Sequence, residues 1–204
     1  MGDGVASTSG YAQQASSLFE RYEKRESEHV HAAVLRWFPC APSRVLDIGA
    51  GTGRDAAYFA AEGHSVLAVE PVAELREGAA RLHLEPSIEW LEDRLPLLTK
   101  VMARGEHFDL IMMNAVWMHF DETERAAGMA NIAALMKPRA RLFMTQRHGP
   151  VPEGRRMFDV SGSETVALAA PLGLNCLFHT RTGSIQPENQ ARKIEWTKLV
   201  FEKT

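Results

Sequence analysis

At 204 residues, 45% of them hydrophobic, the chain holds enough apolar mass for one substantial core and is short for two domains. The 26 acidic and 23 basic residues give a formal charge of −3 with no dense Lys/Arg run, so nothing resembles the electrostatic footprint of a nucleic-acid binder. Cys40 and Cys176 stand far from any second cysteine at metal or redox spacing, which argues against a disulfide framework and leads us to expect two buried thiols in a reducing compartment.

The opening MGDGVASTSG has neither a basic start nor an apolar run, and Ala6 stands where a myristoylation signal needs Ser or Thr. We therefore expect a mobile leader over residues 1–11 and a soluble, cytoplasmic protein with no membrane partner. From Ala12 to Phe38 the apolar residues Leu18, Tyr22, Val30, Val34 and Leu35 predict one or two helices, ended by Pro39 and Pro42. Short apolar runs then predict strands over 44–48, 65–69, 88–91, 108–115 and 141–145. Stretches of helical character separate them, predicted over 54–61, 72–82, 95–103 and 123–136. Strands without clean polar alternation are the kind buried on both faces, as in a parallel sheet with helices on either side, so the fold class is α/β. Beyond Gly149 we predict a helix over 164–170 and two consecutive strands over 175–181 and 194–202, with TGSIQPENQAR as a polar loop. Two such strands with no helix between them form an antiparallel pair at one sheet edge.

The stretch VLDIGAGTGRD, Val45 to Asp55, carries three glycines directly after the first strand. Glycines there let the backbone turn sharply and approach a ligand with no Cβ in the way, and the helix start beyond them offers free N–H groups and a positive dipole end. A dinucleotide fingerprint needs G-x-G-x-x-G/A, whereas here Arg54 stands where a third small residue is wanted for close helix packing. The nicotinamide reading loses ground to another nucleotide-type ligand.

The D-x-G-x-G-x-G pattern from Asp47 to Gly53 resembles motif I of the class I S-adenosylmethionine (SAM) dependent methyltransferases. The resemblance continues in order through VLAVEP, IEWLEDRLP, FDLIMMNAVWMHF and LMKPRARLFMTQRH, spanning residues 44 to 148. KPRARL departs from the family pattern, which usually has two glycines between the Pro and the strand. The resemblance implies a Rossmann-like fold, with a seven-stranded, mostly parallel sheet, an antiparallel last strand, helices on both faces and an N-terminal helical lid. The expected organisation is a single domain over 12–204: lid 12–43, cofactor-binding core 44–148, and C-terminal helix and strand pair 149–204.

The same resemblance implies SAM as methyl donor and S-adenosylhomocysteine as product, with Asp47, Gly49, Ala50 and Gly51 at the amino-acid end. It puts Glu70 and Pro71 at the ribose, Asp93, Arg94 and Leu95 at the adenine, and Asn114, Val116 and Trp117 around the methionine part. A carboxylate at Glu70 accepts from both ribose hydroxyls; the alternative is a surface acid starting a helix. Asp93 either accepts from the adenine amine or caps the next helix, with Glu92 competing for the first role. Trp117 either faces the cation and substrate or packs its loop. Tyr22, with Arg25 and Tyr11 near it, is a candidate contact from the lid.

For catalysis, His119 is a candidate base, or else a member of a polar network at a helix start. TQRHGP follows the fifth strand; Arg147 there can grip a carboxylate or phosphate of the acceptor and His148 can take its proton, unless Arg147 faces solvent and His148 braces the loop. No metal site is expected, since His29 and His31 are two apart on a predicted helix and point different ways. The expected function is in-line methyl transfer from SAM to a small-molecule acceptor, polar or anionic, with no nucleic-acid partner. A non-catalytic SAM-binding module and an NAD(P)-dependent oxidoreductase are the alternatives. The acceptor, the atom methylated and the oligomeric state are open.

Overall fold

In the computed structural model, which describes residues 6–184 and 186–204, seven strands form one sheet. They are β1 Arg44–Ile48, β2 Ser65–Val69, β3 Ile88–Leu91, β4 Phe108–Met113, β5 Met136–His148, β6 Leu174–Gly183 and β7 Glu195–Lys203, in the order β3-β2-β1-β4-β5-β7-β6. All neighbours from β3 to β5 pair in parallel, while β7 runs antiparallel between β5 and β6. The sheet is therefore the expected Rossmann-like one, with its last strand reversed. Between and around the strands lie α1 Ala15–Tyr22, α2 Ser27–His31, α3 Arg54–Ala61, α4 Ala73–Leu82, α5 Thr99–Ala103, α6 Glu122–Leu135, α7 Gly162–Ala169 and α8 Pro187–Ala191.

Side chains on a strand alternate between faces, and here both faces are covered. Val45, Val66, Ala68, Leu110, Met112 and Phe143 point to a core completed by Val34, Ala56 and Phe59. Leu46, Ile48, Leu67, Ile111, Met113 and Leu142 point to the opposite core, completed by Trp117, Met129 and Ile132. Burial of each such large side chain stabilises by about 1.5–3 kcal/mol, which is why apolar residues dominate the covered positions of these strands. In register, Ile48 pairs with Val69 and Val69 with Leu91, so β1, β2 and β3 end together and the residues after them share one edge.

Several boundaries differ from the sequence reading, each for a local reason. β4 stops at Met113 because Ala115 adopts a left-handed backbone, φ 61°. Asp93 caps α5, which starts at Thr99, later than Leu95, because Leu98 before it has φ 47°. β5 begins at Met136 and carries an irregularity opposite Phe108 and Leu110; Arg139 there has φ 64°, in the segment where the family pattern has glycines. The loop expected between β6 and β7 contains α8.

Residues 1–5 of the expected leader lie outside the described residues, but Ala6–Thr8 and Ala12–Gln14 form 3-10 turns and Ser7 is buried. Both cysteines are exposed, contrary to expectation: Cys40 lies in the Pro-flanked segment before β1 and Cys176 on the outer strand β6. No helix among the described residues is long and apolar enough to cross a membrane.

Candidate active site

The carboxyl edge of the sheet opens into a cavity of about 870 Å³, bounded on the far side by α1, α2 and the segment before them. Its first end is the glycine loop. Gly49, Gly51 and Gly53 all have positive φ, at 73°, 60° and 90°. A Cβ on Gly53 would meet the Trp90 ring at 2.6 Å and the His83 ring at 2.7 Å, so Gly53 itself is the close-packing glycine that the sequence reading sought at Arg54. A Cβ on Gly51 would meet nothing closer than the Gly49 carbonyl oxygen at 3.9 Å, leaving that backbone open to the cavity.

Glu70, buried just beyond β2, accepts hydrogen bonds from the N–H groups of Gly51 (2.8 Å) and Val72 (2.9 Å). It thus fixes the glycine loop while facing the cavity, and burial pushes its carboxyl up to about 7 against those two bonds. Asp47 is buried beneath the loop; burial, with Asp55 and Glu70 nearby, raises its pKa, and its Oδ2 has no hydrogen-bond partner. Asp55 is tightly held by Ser27 Oγ (2.6 Å), the Arg54 guanidinium and Asn114 Nδ2 (3.0 Å), with His31 Nε2 in close contact at 3.1 Å. Burial opposes its charge, but His31, Arg54 and Ser27 together hold its carboxyl well below the usual range. Thr145 Oγ1 donates to Asn114 Oδ1 and accepts from the Ala115 N–H, so this chain of bonds locks the strained loop after β4.

The cavity gathers most of the predicted cofactor residues: Asp47, Gly49, Ala50, Gly51, Glu70 and Pro71 line it. So do Asp93, Arg94, Leu95, Asn114, Val116 and Tyr22. Asp93 lines it with a carboxylate already engaged, because Oδ1 accepts from the Arg94 N–H and Oδ2 from those of Lys100 and Val101. The helix-capping alternative thus accounts for its side chain. Trp117 is not in the cavity: it is fully buried in the core beside Phe120, and its Nε1 has no partner.

The second end is made by β5, β7, α8 and the N-terminal segment. Arg147 lines it, but His148 does not. A strand ending at Thr145, as the apolar run predicts, leaves both residues on one loop; β5 runs on to His148, and alternation sends the two to opposite faces. His148 is buried with Nδ1 at 2.9 Å from Asp159 and Nε2 at 2.8 Å from Thr197, so neither nitrogen reaches an acceptor. The β5–β7 register pairs Arg147 with Trp196 and Thr145 with Lys198, and all four line the cavity. Trp196, Lys198, Arg155 and Arg192 were not singled out from the sequence; β-strand alternation was the available signal for the first two.

His119 lies at this end in a defined pair. Its Nδ1 is 2.7 Å from the Arg156 carbonyl oxygen, which fixes the proton on Nδ1, and its Nε2 is 2.9 Å from the Tyr11 hydroxyl. Burial, with Arg155 and Arg156 nearby, lowers its pKa, so the ring is neutral with its lone pair on Nε2. Tyr11 and His119 both line the cavity, joined by this bond, and the Arg155 guanidinium lies 3.2 Å from the centre of the Tyr11 ring.

A family of methyltransferase domains matches residues 19–181. The chain belongs to that family. Mouse glycine N-methyltransferase is 28% identical over 145 residues, 61% of this chain and 49% of the relative, so the chain spans about half the length of that curated relative. Among solved structures, this methyltransferase domain resembles a 1,6-didemethyltoxoflavin N1-methyltransferase of Burkholderia thailandensis with a TM-score of 0.71, 22% identity, and coverage of 95% of this chain and 87% of the other. A TehB-like SAM-dependent methyltransferase of Corynebacterium glutamicum gives a TM-score of 0.66 and 22% identity, with 95% and 96% covered. At these identities the likeness is one of fold.

The methyltransferase domain's own geometry fits SAM. The unpartnered Asp47 Oδ2 is an acceptor awaiting a donor, the Gly51 backbone is open where a Cβ would intrude, and Glu70 presents a buried carboxyl to the same space. Among the described residues no group of three or more His, Cys, Asp or Glu side chains is placed to hold a metal ion.

Proposed function

We propose that this methyltransferase domain transfers a methyl group from SAM to a small-molecule acceptor that is polar or anionic. The observation that carries the reading is the uneven charge along one cavity: all four of its carboxylates, Asp47, Asp55, Glu70 and Asp93, come from β1 to β3 and the segments after them, with Arg54 and Arg94 among them, whereas the charged residues of the β5–β7 side are all cations, Arg147, Arg155, Arg192 and Lys198. SAM, when bound, supplies an electrophilic methyl group on a sulfonium cation. Glu70 would accept from the ribose hydroxyls, Asp47 Oδ2 from the ammonium group, and the Gly49 to Gly51 backbone would run beneath the amino-acid end.

At the acceptor end the protein's work is to align, to exclude water and to take a proton. Tyr11, half-buried, lines the cavity with its hydroxyl on His119 Nε2, and burial raises its pKa, so it stays a neutral hydroxyl. A proton leaving an acceptor O–H or N–H passes to the Tyr11 oxygen as the tyrosine proton passes to His119 Nε2, which leaves the imidazolium braced by the Arg156 carbonyl. His119 is the proton sink and Tyr11 the group that touches the acceptor. The free thiols Cys40 and Cys176 suit a cytoplasmic setting, where they stay reduced.

Calorimetry with S-adenosylhomocysteine and NADH, followed by a screen of metabolite pools with methyl-labelled SAM, tests the reading. S-adenosylhomocysteine should bind and NADH should not, and label should appear in small polar or acidic products. Binding of NADH alone would overturn the reading, and so would cofactor binding with no labelled product from any pool.

A further inference from the structure

The arginines of this protein outside the cavity are mostly matched. Arg44, Arg104, Arg125, Arg141, Arg156 and Arg181 each pair with an aspartate or glutamate. In the cavity the pattern breaks: Arg54 pairs with Asp55, but Arg21, Arg25 and Arg94 have no ion pair among the described residues, and at the β5–β7 end several such cations stand together. Arg147 donates to the Pro150 carbonyl oxygen at 2.9 Å and Lys198 Nζ to that of Val30 at 3.0 Å, and neither is ion-paired among the described residues. Arg192 has no carboxylate partner among the described residues, and it stands close enough to Arg147 to disfavour the Arg147 charge, adding to the effect of burial. Arg155 donates through Nη2 to Gln14 at 2.7 Å and has a buried Nη1 with no partner.

Like charges gathered in a partly buried space disfavour the folded state unless something of opposite charge neutralises them. The cavity's own carboxylates do not serve: they belong to the glycine-loop end, where Glu70 is held by Gly51 and Val72, Asp55 by Arg54, and Asp93 by Lys100 and Val101, while Asp47, its Oδ2 unpartnered, is buried beside Asp55 and Glu70. We infer that the β5–β7 end is a built anion subsite, in which Arg147 and Arg192, with Lys198 beside them, hold a carboxylate or phosphate group carried by the methyl acceptor. This rests on the methyltransferase reading and commits it to an anionic acceptor. Arginine suits the task, since its planar fork meets either oxyanion in a bidentate manner, and Lys198 adds a point charge. An anionic acceptor also lowers the net positive charge that the sulfonium and these cations would otherwise concentrate in one cavity.

The test uses the full chain, with and without saturating S-adenosylhomocysteine, titrated calorimetrically with inorganic phosphate, with malonate and, as the neutral control, with glycerol. One or both anions should bind and glycerol should not; whichever binds more tightly distinguishes a phosphate from a carboxylate on the acceptor. Arg147→Ala and Arg192→Ala should each weaken anion binding at least tenfold while S-adenosylhomocysteine affinity stays within twofold. Arg192 is exposed, so its variant keeps the test intact if Arg147→Ala fails to fold. Failure of both anions to bind, or unchanged binding in the variants, would overturn the subsite. Wild-type protein that binds the anions but not S-adenosylhomocysteine would overturn the methyltransferase reading and leave the anion subsite standing.

Discussion

The two ends of the cavity use opposite construction. At the glycine-loop end the parts come from residues 47 to 95, and every carboxylate but Asp47 is held by nearby amides and side chains: Gly51 and Val72 on Glu70, Arg54 on Asp55, Lys100 and Val101 on Asp93. At the β5–β7 end the parts come from positions as far apart as Tyr11 and Lys198, and the cations stand without carboxylate partners among the described residues. A loop whose shape is set by backbone hydrogen bonds suits a ligand that never changes. A wall of unpaired side chains suits one that is chosen.

The harshest way to break the first end is Gly51→Val. A β-branched residue at φ 60° is strained by the backbone alone, and its side chain would enter open cavity space. S-adenosylhomocysteine affinity should fall at least 100-fold, about 2.7 kcal/mol, as read by calorimetry on protein whose circular dichroism is unchanged. Affinity within threefold of wild type would remove the glycine loop from the site.

A gentler probe of the same end is pH, through Glu70. With its carboxyl pushed up to about 7 by burial, Glu70 is about half protonated at neutral pH in the ligand-free protein, whereas two hydroxyl donors require the carboxylate. S-adenosylhomocysteine affinity should therefore fall as pH drops from 8 to 6, approaching a tenfold loss per unit below 7, and Glu70→Gln should flatten the dependence. Asp47, buried nearby and also raised, shifts the curve in the same sense. The effect of Glu70 on stability has the opposite sign. Its folded pKa lies above the unfolded value of about 4.3, so its contribution is complete below that value and is lost as pH rises through 7. A pH-independent affinity would mean that Glu70 does not meet the ribose.

The contrast between the ends also explains what the sequence could disclose. Asp47, the three glycines and Glu70 are legible because local backbone geometry demands those residue types at those spacings, and the buried strands are legible because both faces are covered. Lys198 and Trp196 depend on how β7 registers against β5, a pairing between segments some 50 residues apart that no local pattern encodes. His148 was misplaced by one strand boundary: extending β5 past Thr145 turns it away from Arg147. Trp117 was misplaced because an aromatic residue after a strand reads alike whether it faces a ligand or the core. The Arg139 departure is tolerated at φ 64°, at about the 1–2 kcal/mol that a left-handed non-glycine residue costs.

At the second end, Tyr11→Phe isolates one hydroxyl. The ring beneath Arg155 is retained and only the bond to His119 Nε2 is lost. With the acceptor identified by the labelled screen, turnover should fall about tenfold, equivalent to about 1.4 kcal/mol, with S-adenosylhomocysteine affinity unchanged. The shape of the pH profile separates a proton relay from a packing role. Around Tyr11 stand Tyr22, Arg21, Arg155 and Glu70, and around His119 stand Arg155 and Arg156. The arginines and burial keep the imidazole neutral, so the wild-type rate should decline only below the ordinary histidine range, and His119→Asn should abolish that acid limb. A wild-type rate in Tyr11→Phe, or an acid limb that survives in His119→Asn, would remove the pair from the reaction.

The smallest effect should come from Trp117→Phe, which separates the cavity from the core beneath it. The Trp117 ring is wholly buried, stacks near Phe120 and fills the space over Gly128, where a Cβ would come within 3.5 Å of it. Exchange for phenylalanine gives up part of that packing, but it also removes a buried N–H with no partner, a group whose burial costs about 1–3 kcal/mol. The two changes oppose each other, so urea unfolding should register a net change below about 1.5 kcal/mol in either direction. S-adenosylhomocysteine affinity should not move, because no part of Trp117 lines the cavity. A tenfold loss of affinity with stability preserved would bring Trp117 back to the cofactor and require the loop after β4 to rearrange when the ligand binds.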